Sequence, residues 1–137
     1  MKKILSIMCM AMLLISCTGT KKVAVQKADL SGEWNICRLA DLALVATEEV
    51  ALPLLTFDEN GYHMYCGCNY VNGSYTIDGD QISFTKGMST KMFCPDVMEM
   101  EDALTTMLSE KTYTIVVEDG AISLQTADGA EALRLVK

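Results

Sequence analysis

The sequence predicts a mainly-β (α+β) domain, a barrel or sandwich of about eight short antiparallel strands with one inserted α-helix. Three observations carry that expectation. Short segments alternate apolar and polar side chains, the two-residue period of a half-buried strand. Between them lie Asp58-Glu59-Asn60-Gly61, Asp78-Gly79-Asp80, Asp119-Gly120 and Asp128-Gly129, residues suited to tight hairpin turns. One stretch alone, about Asp96–Ser109, repeats its apolar residues at helical spacing. No period of tens of residues recurs, which excludes a repeat architecture.

Taken in order, Leu30–Leu39 alternates so that Trp34, Ile36 and Arg38 share one face and Glu33, Asn35 and Cys37 the other. Asp41–Leu52, rich in Ala, Val and Leu but carrying Glu48-Glu49, suits a loop or a short helix equally. Leu54–Phe57 and Tyr62–Cys66 form a hairpin around Asp58–Gly61. The stretch Tyr65–Tyr75 then packs two cysteines, Gly67, Gly73 and two asparagines between alternating segments, so the chain must turn sharply there. Gly73–Ile77 and Gln81–Thr85 pair next, with Ile82 and Phe84 on one face, and Lys86–Cys94 is an irregular connection. Pro95 suits the first turn of a helix, in which Asp96, Glu99, Glu101 and Asp102 complement the positive end of the dipole. Val97, Met100, Leu104, Met107 and Leu108 supply its buried stripe. Tyr113–Val117, Ala121–Gln125 and Ala132–Val136 close the chain as strands.

The N-terminus reads as export machinery. Lys2 and Lys3 precede Ile4–Ile15, an apolar run too short to span a bilayer and correctly flanked for a secretory signal. Leu14-Ile15-Ser16-Cys17 resembles the lipobox of bacterial lipoproteins, which implies removal of residues 1–16 and acylation of Cys17. Residues 17–28, with three lysines and few large apolar side chains, form a tether, and 29–137 make one domain with one core. Losing Lys2 and Lys3 leaves 9 basic side chains, from a total of 11, against 18 acids, a net charge near −9. Such a surface repels nucleic acid. The expected setting is the cell envelope, as an outer-membrane lipoprotein on the periplasmic face. The domain would be a monomer held to the membrane by its lipid, with an envelope protein as partner. The tether lacks an acidic run after Cys17, which argues against display on the cell surface.

Of the 6 cysteines, Cys9 leaves with the signal and Cys17 takes lipid, so Cys37, Cys66, Cys68 and Cys94 remain. In an exported domain these imply two disulfides with three possible connectivities, mutual pairing of Cys66 and Cys68 being the least favoured. Catalysis has little support: His63 is the only histidine, and no serine or cysteine sits in an activating context. Asp78, Asp80, Asp119 and Asp128 serve turns, the helix acids make a solvated face, and no phosphate cradle is present. No enzyme activity and no cofactor are expected. Two binding readings compete with a pure interaction role. Trp34, Tyr62, Tyr65 and Tyr70, near Tyr75, would edge a groove for a small hydrophobic ligand, lipid or peptide. Cys66, Cys68 and Cys94 with His63, Met64, Met88 and Met92 would suit copper or zinc, although an oxidising compartment turns such thiols into disulfides and methionines are more often core filler.

Gly67-Cys68-Asn69-Tyr70-Val71-Asn72-Gly73-Ser74-Tyr75 and Thr90-Lys91-Met92-Phe93-Cys94-Pro95, in that order, resemble the marks of the HslJ/META-domain family. Leu30-x-Gly32-x-Trp34 is similar to its opening strand and Phe57 to its second. The resemblance implies a small antiparallel, lipocalin-like β-barrel with one helix, exported and often lipid-anchored, linked to envelope stress, antibiotic tolerance or virulence. It also implies a Cys68–Cys94 disulfide tying the Asn69 corner to the helix start, leaving Cys37–Cys66 as a second bridge outside the motif. Cys37–Cys68 with Cys66–Cys94 is the alternative pairing.

Overall fold

In the computed structural model residues 25–137 are described; the expected signal segment 1–16, Cys17 and residues 18–24 of the expected tether lie outside the described residues. The elements in chain order are α1 (Lys27–Leu30), β1 (Gly32–Leu39), β2 (Leu42–Ala43), β3 (Leu54–Phe57), β4 (Tyr62–Tyr65), β5 (Tyr70–Gly73), β6 (Tyr75–Asp78), β7 (Gln81–Phe84), β8 (Met88–Ser89), α2 (Met98–Leu108), β9 (Thr112–Glu118), β10 (Ala121–Gln125) and β11 (Glu131–Val136). One curled antiparallel sheet runs in the order β6-β7-β9-β10-β11-β1-β3-β4-β5-β8, with β2 pairing the far end of β1. The expected strands are all present, and β2, β5 and β8 are additional.

Two local departures from strict alternation shape the sheet. In β1 the pairing with β11 passes from Ile36↔Leu135 to Arg38↔Arg134, so Cys37 is the extra residue of a bulge. The bulge reverses the faces beyond it: Leu39 is buried and Arg38 exposed, correcting the expectation that Arg38 shares a face with Trp34 and Ile36. The second departure is at Ser74, which separates β5 from β6, so that the predicted Gly73–Ile77 strand begins only at Tyr75. Thr85 holds this bend, its Oγ1 accepting from the Ser74 N–H at 3.0 Å and its own N–H donating to the Ser74 carbonyl at 2.9 Å. Gly61 is required beside it, since a Cβ there would lie 2.1 Å from the Gly73 carbonyl oxygen.

The concave side is filled with side chains. Phe57 meets Tyr75 edge-on at 5.1 Å between ring centres, and Tyr62 meets Phe84 edge-on at 5.2 Å. Ile36, Leu55, Met64, Leu124, Leu133 and Leu135 join them fully buried, each contributing about 1.5–3 kcal/mol relative to an exposed side chain. Trp34 closes one end, its Nε1–H donating to the Leu30 carbonyl at 2.7 Å while the Lys137 ammonium lies 4.1 Å from the ring centre. Leu30 is buried as well, and so is Val25, so the packed body reaches back into the segment read as tether.

Helix α2 covers the sheet with Leu104 and Leu108, flanked by the half-buried Met100 and Met107. It begins at Met98, after a turn closed by the Val97 N–H to the Cys94 carbonyl; Pro95 therefore precedes the helix rather than occupying its first turn. Asp41–Leu52 is a loop, with β2 at its start and a Thr47–Val50 turn.

Candidate functional site

The corner between β4 and β5 is where the sequence motifs converge. Gly67 takes φ +103°, a left-handed conformation that lets the chain reverse between Cys66 and Cys68. The turn points the side chain of Asn69 inward, 2% exposed, between the 89–93 loop and α2. Every polar group of that side chain is used. Nδ2 donates to the Glu101 carboxylate at 2.7 Å and to the Met92 carbonyl at 2.9 Å, while Oδ1 accepts from the Thr90 hydroxyl at 2.8 Å and the Met92 N–H at 2.7 Å. The Asn69 backbone N–H donates to the second Glu101 oxygen at 2.9 Å. The amide thus ties the corner to both the loop and the helix, which follow it much later in the chain.

Sulfur reinforces the same joint. Cys68 and Cys94 are disulfide-bonded, their Cα atoms 6.2 Å apart, closing a loop of 26 residues. In the chain-entropy model that closure contributes about 3 kcal/mol. The expected second bridge is absent: Cys37 and Cys66 are free thiols. Cys37 lies in the β1 bulge, its thiol directed at the Arg134 carbonyl on β11, whereas Cys66 follows β4, on the other side of the intervening β3. Two strand spacings are too wide for a disulfide. Cys66 is buried with its sulfur 3.9 Å from Glu101. Burial first, then the Glu101 charge and hydrogen bond, push its pKa up to about 12, so it stays a protonated donor and no nucleophile.

The chain belongs to the META-domain family, whose model matches residues 28–137. It is a META-domain protein. A protein described as "NMR structure of the protein" has the same fold, with TM-score 0.61, 16% identity, and coverage of 82% of this chain and 94% of its own. No curated protein matches the chain.

Seen on the fold, the META motif is a structural joint. Gly73 makes room for the Tyr62 ring, which a Cβ would approach to 2.6 Å, and Tyr75 is buried with its hydroxyl donating to the Asp58 carbonyl. Thr90 accepts from the Tyr70 N–H as well as serving Asn69, and Met92 contributes its backbone while its side chain stays exposed. Glu101, read from sequence as part of a solvated face, is only 5% exposed and is the residue that sequence reasoning missed.

The candidate groove and metal sets do not assemble. Trp34 and Tyr62 are core residues, while Tyr65 and Tyr70 stack on the outer face at 4.6 Å between ring centres. Of the soft-metal set, Cys68 and Cys94 are bonded to each other, Met64 is buried, and Met88 and Met92 are exposed. His63 sits outside the sheet between Asn72 and Asp58. Among the described residues no cluster of three or more His, Cys, Asp or Glu has metal-binding geometry.

Replacing Asn69 with Asp sets two carboxylates against each other in a buried site. The variant is expected to lose about 3 kcal/mol or more at pH 7.5. Its shared proton has a raised folded-state pKa, so stability is regained as pH falls; urea unfolding at pH 7.5 and 5 checks this, and equal losses at both refute it.

At His63 the Asn72 hydrogen bond, then the Asp58 hydrogen bond, raise the pKa above the usual 6.5. His63 in turn leads the causes that hold Asp58 below its usual 3.8. The histidine's contribution is full below about pH 6.5 and is lost as pH rises through its raised value; that of Asp58 is lost as pH falls through its lowered one. Ring titration by NMR should show a midpoint above 6.5 that drops in Asn72→Ala, and an unchanged midpoint would contradict the pairing.

Proposed function

We propose that this META domain is a lipid-anchored interaction module of the cell envelope, without catalytic chemistry of its own, serving stress or antibiotic tolerance by binding another envelope protein. The observation that carries this reading is the loop the joint holds out. Asn69 and the Cys68–Cys94 bridge fix the backbone on both sides of Met92 and Phe93. Yet Phe93 is 81% exposed, Met92 56% and Met88, on the adjoining β8, 80%. Large apolar side chains displayed in water from a braced backbone suit contact with a partner, because little backbone ordering entropy is left to lose on binding.

Other features support the same reading. The groups that sequence reasoning offered for chemistry are committed elsewhere: cysteines to a disulfide or burial, His63 to Asp58 and Asn72. A carrier of hydrophobic ligands would need room on the concave side, which Phe57, Tyr62, Phe84 and Tyr113 occupy. An acylated Cys17 would lie within about 30 Å of Val25 even on a fully extended chain, keeping the domain close to its membrane.

A photoactivatable side chain installed at Phe93 in intact cells is expected to capture a discrete envelope protein. The same group at Val117, 56% exposed on β9, is expected to capture none. Equal labelling from both positions, or none from Phe93, would contradict the interaction reading.

A further inference from the structure

We infer that the cleft between the 89–93 loop and α2 receives a lysine or arginine side chain of a partner protein, whose neighbouring apolar residues rest on Phe93 and Met92. This deepens the interaction reading and rests on it. The cleft has a volume of about 240 Å³, and its walls include Asn69, Met92, Phe93, Met98, Glu101 and Asp102. Helical spacing makes one wall: Met98, Glu101, Asp102 and Thr105 fall on one side of α2, beside the stripe that Leu104 and Leu108 bury. The opposite wall is the loop fixed by Asn69 and the disulfide.

The chemistry of these walls selects a cation on an apolar stem. Glu101 is buried, and its oxygens meet only the Asn69 amides and the Cys66 thiol. Among the described residues no lysine, arginine or histidine pairs with it or with Asp102; Lys91, on the rim, pairs with neither. A carboxylate answered by neutral dipoles alone gains from an incoming ammonium or guanidinium, and the exposed Asp102 adds a second acceptor. The Phe93 ring offers a cation–π face, and the Met92 and Met98 thioethers pack a methylene stem. The net charge near −9, from 9 basic and 18 acidic residues after the signal, attracts basic partners at longer range.

Size chooses between a free small molecule and a protein side chain. The cleft lies below the roughly 300–1,000 Å³ of small-ligand pockets and matches one long side chain. Its apolar rim, Phe93 at 81% exposure above all, extends outside it, where a partner's backbone and adjacent residues would lie. A basic anchor surrounded by apolar contacts is a recurrent arrangement at interfaces.

The test uses the full chain with labelled methionine methyls and blocked pentapeptides Ala-Leu-Arg-Leu-Ala, with norleucine or glutamate replacing the arginine in two controls. The arginine peptide is expected to shift the Met92 and Met98 methyls saturably, at least about five-fold more tightly than the norleucine peptide, with no effect of the glutamate peptide. Asp102→Asn, an exposed change that leaves the fold intact, is expected to weaken arginine binding about three- to ten-fold. Equal binding of arginine and norleucine peptides, indifference to both Asp102→Asn and Phe93→Ser, or no shift at millimolar peptide would each overturn the assignment. The two readings fail separately: a protein captured through Phe93 in cells without any arginine preference leaves an apolar interaction surface and removes the basic anchor.

Discussion

The Asn69–Glu101 pair is the constraint on which the rest of this META domain depends. A buried carboxylate is costly unless donors surround it, and here one residue supplies both its backbone and its side-chain N–H. That requirement fixes the distance between the β4–β5 corner and α2, and with it the cover over the concave side of the sheet. The remaining polar atoms of Asn69 then fix the 89–93 loop, so one side chain sets the relation of corner, loop and helix. The disulfide acts on the same joint by a different route, limiting how far the unfolded chain can spread. Removing it would leave the hydrogen-bonded pairing in place; removing the Asn69 side chain would strip the buried carboxylate of its side-chain amide donor.

Much of this was legible in the sequence. Turn residues such as Asn60-Gly61 and Asp119-Gly120 mark their hairpins because backbone geometry restricts what fits there. The Cys68–Cys94 bridge followed from the motif resemblance. What escaped notice did so for physical reasons. Cys37 looked like a regular strand position because a bulge shifts register without an obvious residue signature. Glu101 falls at the spacing of Leu104 and Leu108, so the period that identified the helix places it on the buried side. Its charge argued for solvent, and the Asn69 donors, supplied from 32 residues away, reverse that preference.

The division of labour that emerges is between a stiff interior and a displayed edge. Motif residues of chemically versatile types are consumed in holding the corner, and the loop they hold presents Met92 and Phe93 to solvent. The burial of Glu101 links the two, since its carboxylate both closes the joint and forms part of the cleft beside that loop. In the proposed reading stability and recognition share an atom set, which ties the shape of the surface to the integrity of the core.

Native-state hydrogen exchange at the Asn69 backbone amide tests the central claim most directly. If the Glu101 carboxylate anchors the joint, this amide exchanges only when the domain unfolds globally, with protection equal to that of the core strand amides of Leu55 and Leu124. Exchange at the rate of an open loop, with those strands still protected, would show that the corner opens independently and that the pairing does not hold the fold together.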